Sequence, residues 1–167
     1  MSLEYVIDGY NVVHHPLFGQ IKRYHSDPRL TLVESLRIER LTGSQRNKII
    51  VVFDGYPDSS GGGYDESYAR IVFSRQHTAD ERIIEIVERS PNPKNTVVVS
   101  DDKEIRFFIK QAGAKALSVE EFLNPIFVKL NRAGPGGKKQ ESDPLGRELT
   151  YSQKHKINQE LRKLWLK

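Results

Sequence analysis

The chain has no cysteine, which excludes disulfide bridges, thiolate nucleophiles and thiolate zinc sites. No apolar run approaches the roughly 20 residues of a membrane-spanning helix. A secretory leader is not expected at the start, because Glu4 and Asp8 interrupt what would be its apolar segment. No strand candidate is followed by a glycine-rich phosphate-binding pattern, and there is no internal repeat. These absences leave a soluble, cytoplasmic protein with no membrane partner as the simplest expectation. What is present, 167 residues of which 37% are hydrophobic, suffices for one real core.

Charge is unevenly spread. Residues 1–123 hold 16 Lys and Arg against 18 Asp and Glu, a net of −2, while residues 124–167 hold 10 against 4, a net of +6. A near-neutral body with a basic tail suits a polyanionic partner, since Lys and Arg neutralise phosphates and release counterions. A solvated tail explains the charge alone equally well.

Apolar runs alternate with helical patterns. Strands are expected at 5–7, 48–53, 69–73, 96–99 and 114–117. Ile49-Ile50-Val51-Val52 and Val97-Val98-Val99 are continuous β-branched runs of the kind covered on both faces. Asp27-Pro28 opens a first helix that Gly43 stops. Thr78-Ala79-Asp80-Glu81 is a capping box for a second helix, which ends by Pro91. Ser100 or Asp101 caps a third, which Gly113 ends. Ser118-Val119-Glu120-Glu121 is another capping box, starting a short helix through Phe122. The alternation predicts a mostly parallel sheet with helices on both faces. Between them, 54–66 is a long Gly/Ser/Asp/Pro-rich connection, a loop of the kind that carries function. The division expected is a body at 1–123 and an extension at 124–167. That extension holds a linker at 134–139 and a terminal amphipathic helix with Ile157, Leu161, Leu164 and Trp165 at helical spacing.

The chemistry concentrates in carboxylates that follow apolar runs. Asp8 follows Val6-Ile7, Asp54 follows Val51-Val52-Phe53, and Asp101-Asp102 follow Val97-Val98-Val99-Ser100. In a parallel sheet the carboxyl ends of all strands share one edge, so these side chains converge. Asp80 joins them if the strand before its helix is parallel too. Singly, each Asp is better read as a cap or turn residue. Together, several carboxylates in one crevice raise one another's pKa unless a cation neutralises them. Oxygen donors without Cys fit Mg²⁺ or Mn²⁺, which can activate water for in-line displacement at a phosphodiester. Other carboxylate chemistries fail on spelling. A haloacid-dehalogenase phosphatase needs Asp-x-Asp, but position 10 is Tyr. A receiver domain needs paired acids where Asp8 stands alone, and an adhesion-type metal site needs serines where Tyr10 and Val12 stand.

Val6-Ile7-Asp8-Gly9-Tyr10-Asn11-Val12-Val13, Val51-Val52-Phe53-Asp54-Gly55, Thr78-Ala79-Asp80, Val99-Ser100-Asp101 with Glu104, and Gly113-Ala114 with Ser118-Val119-Glu120-Glu121-Phe122 resemble, in order and spacing, the YacP-like branch of the NYN domain family. The resemblance covers roughly residues 4–123. It implies a three-layer α/β/α PIN-like fold and a metal-dependent endoribonuclease acting on single-stranded RNA, with the ribosome as an implied partner. On the matching positions Asp8, Asp80 and Asp101 are implied metal-binding carboxylates, and Asn11 orients Asp8 or a bound water. Asp54 is a further acidic residue at the rim, and Asp102 and Glu104 take supporting or second-metal roles.

Tyr10, His14, Arg75 and Lys103 are placed to touch RNA, and Tyr56 and Tyr64 offer stacking surfaces; solvation or packing accounts for each singly. His15, His77 and Arg70 stand in the same position. The tail lysines, Lys138 and Lys139 among them, are the preferred RNA- or ribosome-facing element. Two other classes stay open at this point: a non-catalytic RNA- or ribosome-binding adaptor, and a metal-dependent phosphatase acting on small esters.

Overall fold

In the computed structural model, residues 2–57, 63–65 and 67–132 are described, with side chains to 126. Met1–Ala133 makes one compact unit. The expected linker and terminal helix, and part of the Gly-rich connection, lie outside the described residues.

Five strands form one parallel sheet: β1 (Glu4–Asp8), β2 (Lys48–Phe53), β3 (Arg70–Phe73), β4 (Thr96–Val99) and β5 (Lys115–Leu117), in the order β3-β2-β1-β4-β5. All five fall within one residue of the expected bounds. β1 is central, with Ile7 paired to Val51 on one side and to Val99 on the other. The chain builds outward from β1 to β3, then returns to the other side of β1 for β4 and β5. Strand order therefore reverses beside β1, and the crevice at that reversal is where open α/β sheets bind ligands.

Alternation along the strands feeds two cores. Ile7, Ile49, Val51, Phe53 and Val99 face the layer containing α1 (Gly9–Val13), α2 (Pro28–Glu39) and α5 (Val119–Arg132). Val6, Ile50, Val52, Val72 and Val98 face α3 (Ala79–Glu88) and α4 (Lys103–Gln111). That is the three-layer arrangement, and the continuous β-branched runs are apolar because both faces are covered.

Asp8-Gly9-Tyr10-Asn11 leaves the strand through a short helix that the pattern did not indicate, with Asp8 as the N-cap of α1. Three local expectations are corrected. α2 ends at Glu39, before Gly43, because Arg40 adopts the left-handed conformation (φ 52°) and turns Leu41 back into the core. Asp102 caps α4, its Oδ1 accepting from the Glu104 and Ile105 amides at 2.7 and 3.1 Å, so neither Ser100 nor Asp101 does. α5 runs well past Phe122 to Arg132 with Pro125 inside it. Pro125 gives up one helical hydrogen bond, but Phe122, Leu123 and Ile126 are buried around it and hold the helix to the sheet.

The expected capping box at α3 forms in full. Thr78 Oγ1 accepts from the Glu81 amide at 3.1 Å, and Glu81 Oε2 accepts from the Thr78 amide at 3.0 Å. Thr78→Ala should cost about 1 kcal/mol in urea unfolding, whereas Thr78→Ser should stay close to wild type. Equal midpoints for all three proteins would mean that the cap contributes nothing.

Candidate functional site

Asp8 ends β1 with its residue 3% exposed, and both side-chain oxygens accept hydrogen bonds. Its Oδ1 accepts from the Asn11 amide at 3.1 Å, and its Oδ2 from Asn11 Nδ2 at 2.8 Å. Ser100 Oγ lies 3.5 Å from the same Oδ2. The three-residue spacing from Asp8 to Asn11 matters because one helical turn brings the carboxamide back over its own cap. Asn11 Oδ1 in turn accepts from the Asp101 amide at 3.0 Å, tying the end of β1 to the end of β4.

The backbone at Gly9 is what lets α1 sit so low on the sheet. A Cβ there would lie 2.3 Å from Cε1 of Phe53, whose ring is fully buried and meets Tyr10 edge-on. Only glycine fits this approach without displacing the ring.

β3 runs parallel to β2, so α3 does start on the same edge. A cleft of about 570 Å³ results, lined by Asp8, Asn11, Asp54 and Asp80 together with Tyr10 and His14. Asp54 is held from the side: Ser74 Oγ donates to its Oδ1 at 2.7 Å and accepts from the Gly55 amide at 3.0 Å.

The electrostatics match a crowded anionic pocket. Burial pushes the Asp8 carboxyl up to about 6, opposed by the Asn11 amide and reinforced by the charges of Asp80 and Asp54. Asp80 is exposed as a residue, yet the cleft still removes water from its carboxyl. That desolvation, then the charges of Asp102, Asp54, Glu104 and Glu81, raises its pKa.

Asp101 does not line this cleft. Its Oδ1 accepts from the Val119 amide at 2.9 Å at the start of α5, and its Oδ2 faces His15 Nε2 at 3.7 Å. Asp102 is occupied as the cap of α4, and its charge reaches Asp80 across the crevice. Among the described residues, no three Asp, Glu or His side chains close on one point as a ready-made metal cage.

Tyr10 stacks on His14 (centroids 5.4 Å apart) while lining the cleft. Lys103 is exposed at the start of α4, and Lys138 and Lys139 lie outside the described residues. Two participants were not read from the sequence as partners of the site carboxylates. Ser74 holds Asp54, and buried Ser100 reaches Asp8 and accepts from the Asp102 amide at 3.1 Å. Their signal, a serine directly after an apolar strand, is faint because serine is common at strand ends.

Comparison with known proteins decides the family. The profile of the YacP-like NYN domain matches residues 5–165 of this chain. The chain belongs to the YacP-like NYN domain family. The match runs beyond the motifs at 4–123 and through the basic tail. Membership of an NYN family points to an RNase-type nuclease. Among solved structures, the chain is similar to Rae1 (YacP) from Bacillus subtilis, with 24% identity, a TM-score of 0.59, and coverage of 79% of this chain and 77% of that one. A point mutant of the same protein gives 24% identity, a TM-score of 0.57 and 79% coverage of each chain. At that identity the likeness shows the fold. No curated protein matches the chain. No helix among the described residues is long and apolar enough to cross a membrane.

Proposed function

We propose that this YacP-like NYN protein is a metal-dependent endoribonuclease that cuts single-stranded RNA at the Asp8–Asp54–Asp80 cleft. The observation carrying the reading is Asp8 itself. A carboxylate is buried at the sheet's switch point, each oxygen accepting a hydrogen bond from Asn11, and is faced by two more carboxylates in an open cleft. Such an arrangement costs stability and persists where a bound cation offsets it.

The donors present fit Mg²⁺ or Mn²⁺ in their chemistry. They are all oxygens, and such ions take one or two carboxylates and keep their remaining waters, so a closed protein cage is not required. When bound, the ion would neutralise charge on the phosphodiester and activate water. Asp8 and Asp80 would hold it, with Asp54 beside them. Asn11 keeps the Asp8 carboxyl in one orientation, and Ser74 does the same for Asp54. Asp101 is a positioning residue in this reading, because its amide fixes Asn11 and its carboxyl anchors α5.

The test is cleavage of an RNA labelled at its 5′ end. Cutting should need Mn²⁺ or Mg²⁺ and stop with EDTA. Asp80→Asn should abolish it, while Asp101→Asn, which keeps an oxygen for the Val119 amide, should retain most of it. Loss of cutting in Asp101→Asn with an unchanged melting temperature would put Asp101 back among the ligands. Wild-type protein that binds RNA in Mn²⁺ and never cuts it would make the protein an RNA-binding adaptor. The ribosome is a proposed place of action, checked by co-sedimentation of the full chain with ribosomes.

A further inference from the structure

A second cleft, of about 800 Å³, opens directly beside the acidic one. The two meet where Gly55 gives way to Tyr56 and where His77 gives way to Thr78, with one member of each pair in each cleft. No carboxylate lines the second cleft among the described residues; Arg70, Arg75, Arg82 and His77 do. Arg82 is paired with Glu85, and His77 faces Glu81 at 3.5 Å. Arg70 and Arg75 are exposed and have no carboxylate partner among the described residues.

We infer that this cleft is a subsite for the unpaired RNA strand flanking the scissile bond, with Arg70 and Arg75 on different phosphates of that strand and Tyr56 under a base. The inference deepens the nuclease reading and rests on it for the identity of the polyanion.

Three observations carry it. First, sign: an RNA strand entering the acidic cleft is repelled by Asp8, Asp54 and Asp80 everywhere except at a bound cation. Its neighbouring phosphates need separate neutralisation, and among the described residues the ionised side chains lining the adjoining cleft are arginines. Second, spacing: Arg70 starts β3 and Arg75 lies two residues past its end, so the strand's length of roughly 10 Å and a further turn separate them, and they meet different phosphates. Third, backbone: Arg75 is held at φ 59°, in the left-handed region that non-glycine residues seldom adopt. The Arg75 amide donates to Gly55 O at 2.8 Å, and the Ser74 amide donates to Phe53 O at 2.9 Å. The knot of bonds that fixes Asp54 thus also fixes Arg75, coupling the chemical centre to the strand path. A left-handed backbone carrying arginine in place of glycine motivates a role for that side chain.

Tyr56 selects the form of the strand. Its residue is 62% exposed, whereas Tyr64 packs its ring against Phe73 in the cleft wall. An exposed ring stacks on an unpaired base, and the bases of a duplex are already stacked on one another. Single strands are therefore the preferred ligand.

The experiment measures anisotropy of a fluorescein-labelled 12-nucleotide oligouridylate with the full chain in EDTA, so that no cleavage intervenes. Arg70→Ala and Arg75→Gly should each weaken binding about 5- to 10-fold and reduce the slope of log K against log salt by about 0.7. Tyr56→Ala should weaken it about tenfold with little change in that slope. A duplex of the same length should bind more weakly and ignore Tyr56→Ala. Arg75→Gly is the fold control, because relief of the left-handed strain should leave its melting temperature equal to wild type or higher. Binding within twofold of wild type in the Arg70→Ala/Arg75→Gly double variant overturns the subsite, as does absence of any wild-type binding. Variants that bind weakly while wild type never cuts in Mn²⁺ would leave the subsite standing and sink the nuclease reading. Variants that bind and cut like wild type would do the reverse.

Discussion

Asp8→Asn should remove RNA cleavage by more than about 100-fold and, at pH 7.5 in EDTA, make the protein more stable. The first effect follows from losing a charged oxygen at the proposed ion; loss of a mere supporting partner in a metal site typically costs 10–100-fold. The second follows from linkage. The Asp8 pKa stands at about 6 in the folded protein against an ordinary 3.8. The folded state therefore holds the Asp8 proton more tightly than the unfolded chain. Its contribution is fully favourable below about pH 4 and is lost as pH rises through 6. Above that, ionised Asp8 costs at most about 3 kcal/mol. A neutral side chain of the same shape avoids this cost. It still accepts from the Asn11 amide, but its NH₂ group then meets Asn11 Nδ2, donor against donor. That clash returns about 1 kcal/mol. The net gain should be about 1–2 kcal/mol at pH 7.5 and should vanish near pH 4.5. In wild type the same proton competes with the ion, so cutting should rise with pH through 6. Urea titrations of both proteins at the two pH values, with and without Mn²⁺, test the whole account. An Asp8→Asn protein less stable than wild type at pH 7.5 in EDTA would contradict it.

Gly9→Ala should be the most damaging single methyl in the domain. The new Cβ would stand 2.3 to 2.9 Å from three atoms of the Phe53 ring, well inside contact distance. Phe53 has nowhere to go, because Tyr10 lies edge-on to it and Phe73 packs beside it with centroids 6.0 Å apart. Overpacking of this kind costs about 1–3 kcal/mol, and here the upper end is expected because both α1 and β2 must shift. Moving α1 also moves Asn11 off Asp8, so cleavage should fall along with stability. Phe53→Leu in the Gly9→Ala background should recover part of the loss, giving a coupling energy of opposite sign to the single effects. Independent, additive losses in the double variant would mean that the two residues do not press on each other.

The individual elements show how far a linear reading reaches. β2 and β4 are plain in the sequence because sheets covered on both faces need uninterrupted β-branched runs, and turns of other chemistry bound them. The α3 capping box is equally plain, being wholly local: its two hydrogen bonds join residues three apart. α1 is missed, because Asp8-Gly9 has the spelling of a turn, and one and a half turns of helix have no apolar period long enough to detect. The length of α5 is missed for the opposite reason. Pro125 has the spelling of a stop, and burial of Phe122, Leu123 and Ile126 overrides it.

The sequence motifs carry the resemblance to the family, and the local pattern yields the parallel sheet and several carboxylates along one edge of it, because strand period, cap chemistry and strand-end position are each read within a few residues. Which of those carboxylates share a cleft is set by contacts distant in the chain. Asp54 enters it through Ser74, 20 residues away, and Asp101 is drawn out of it by the Val119 amide, 18 residues on. Hydrogen-bond partners at that distance leave no local pattern. The same carboxylate spelling at a strand end therefore yields a cleft residue in one case and a helix anchor in the other.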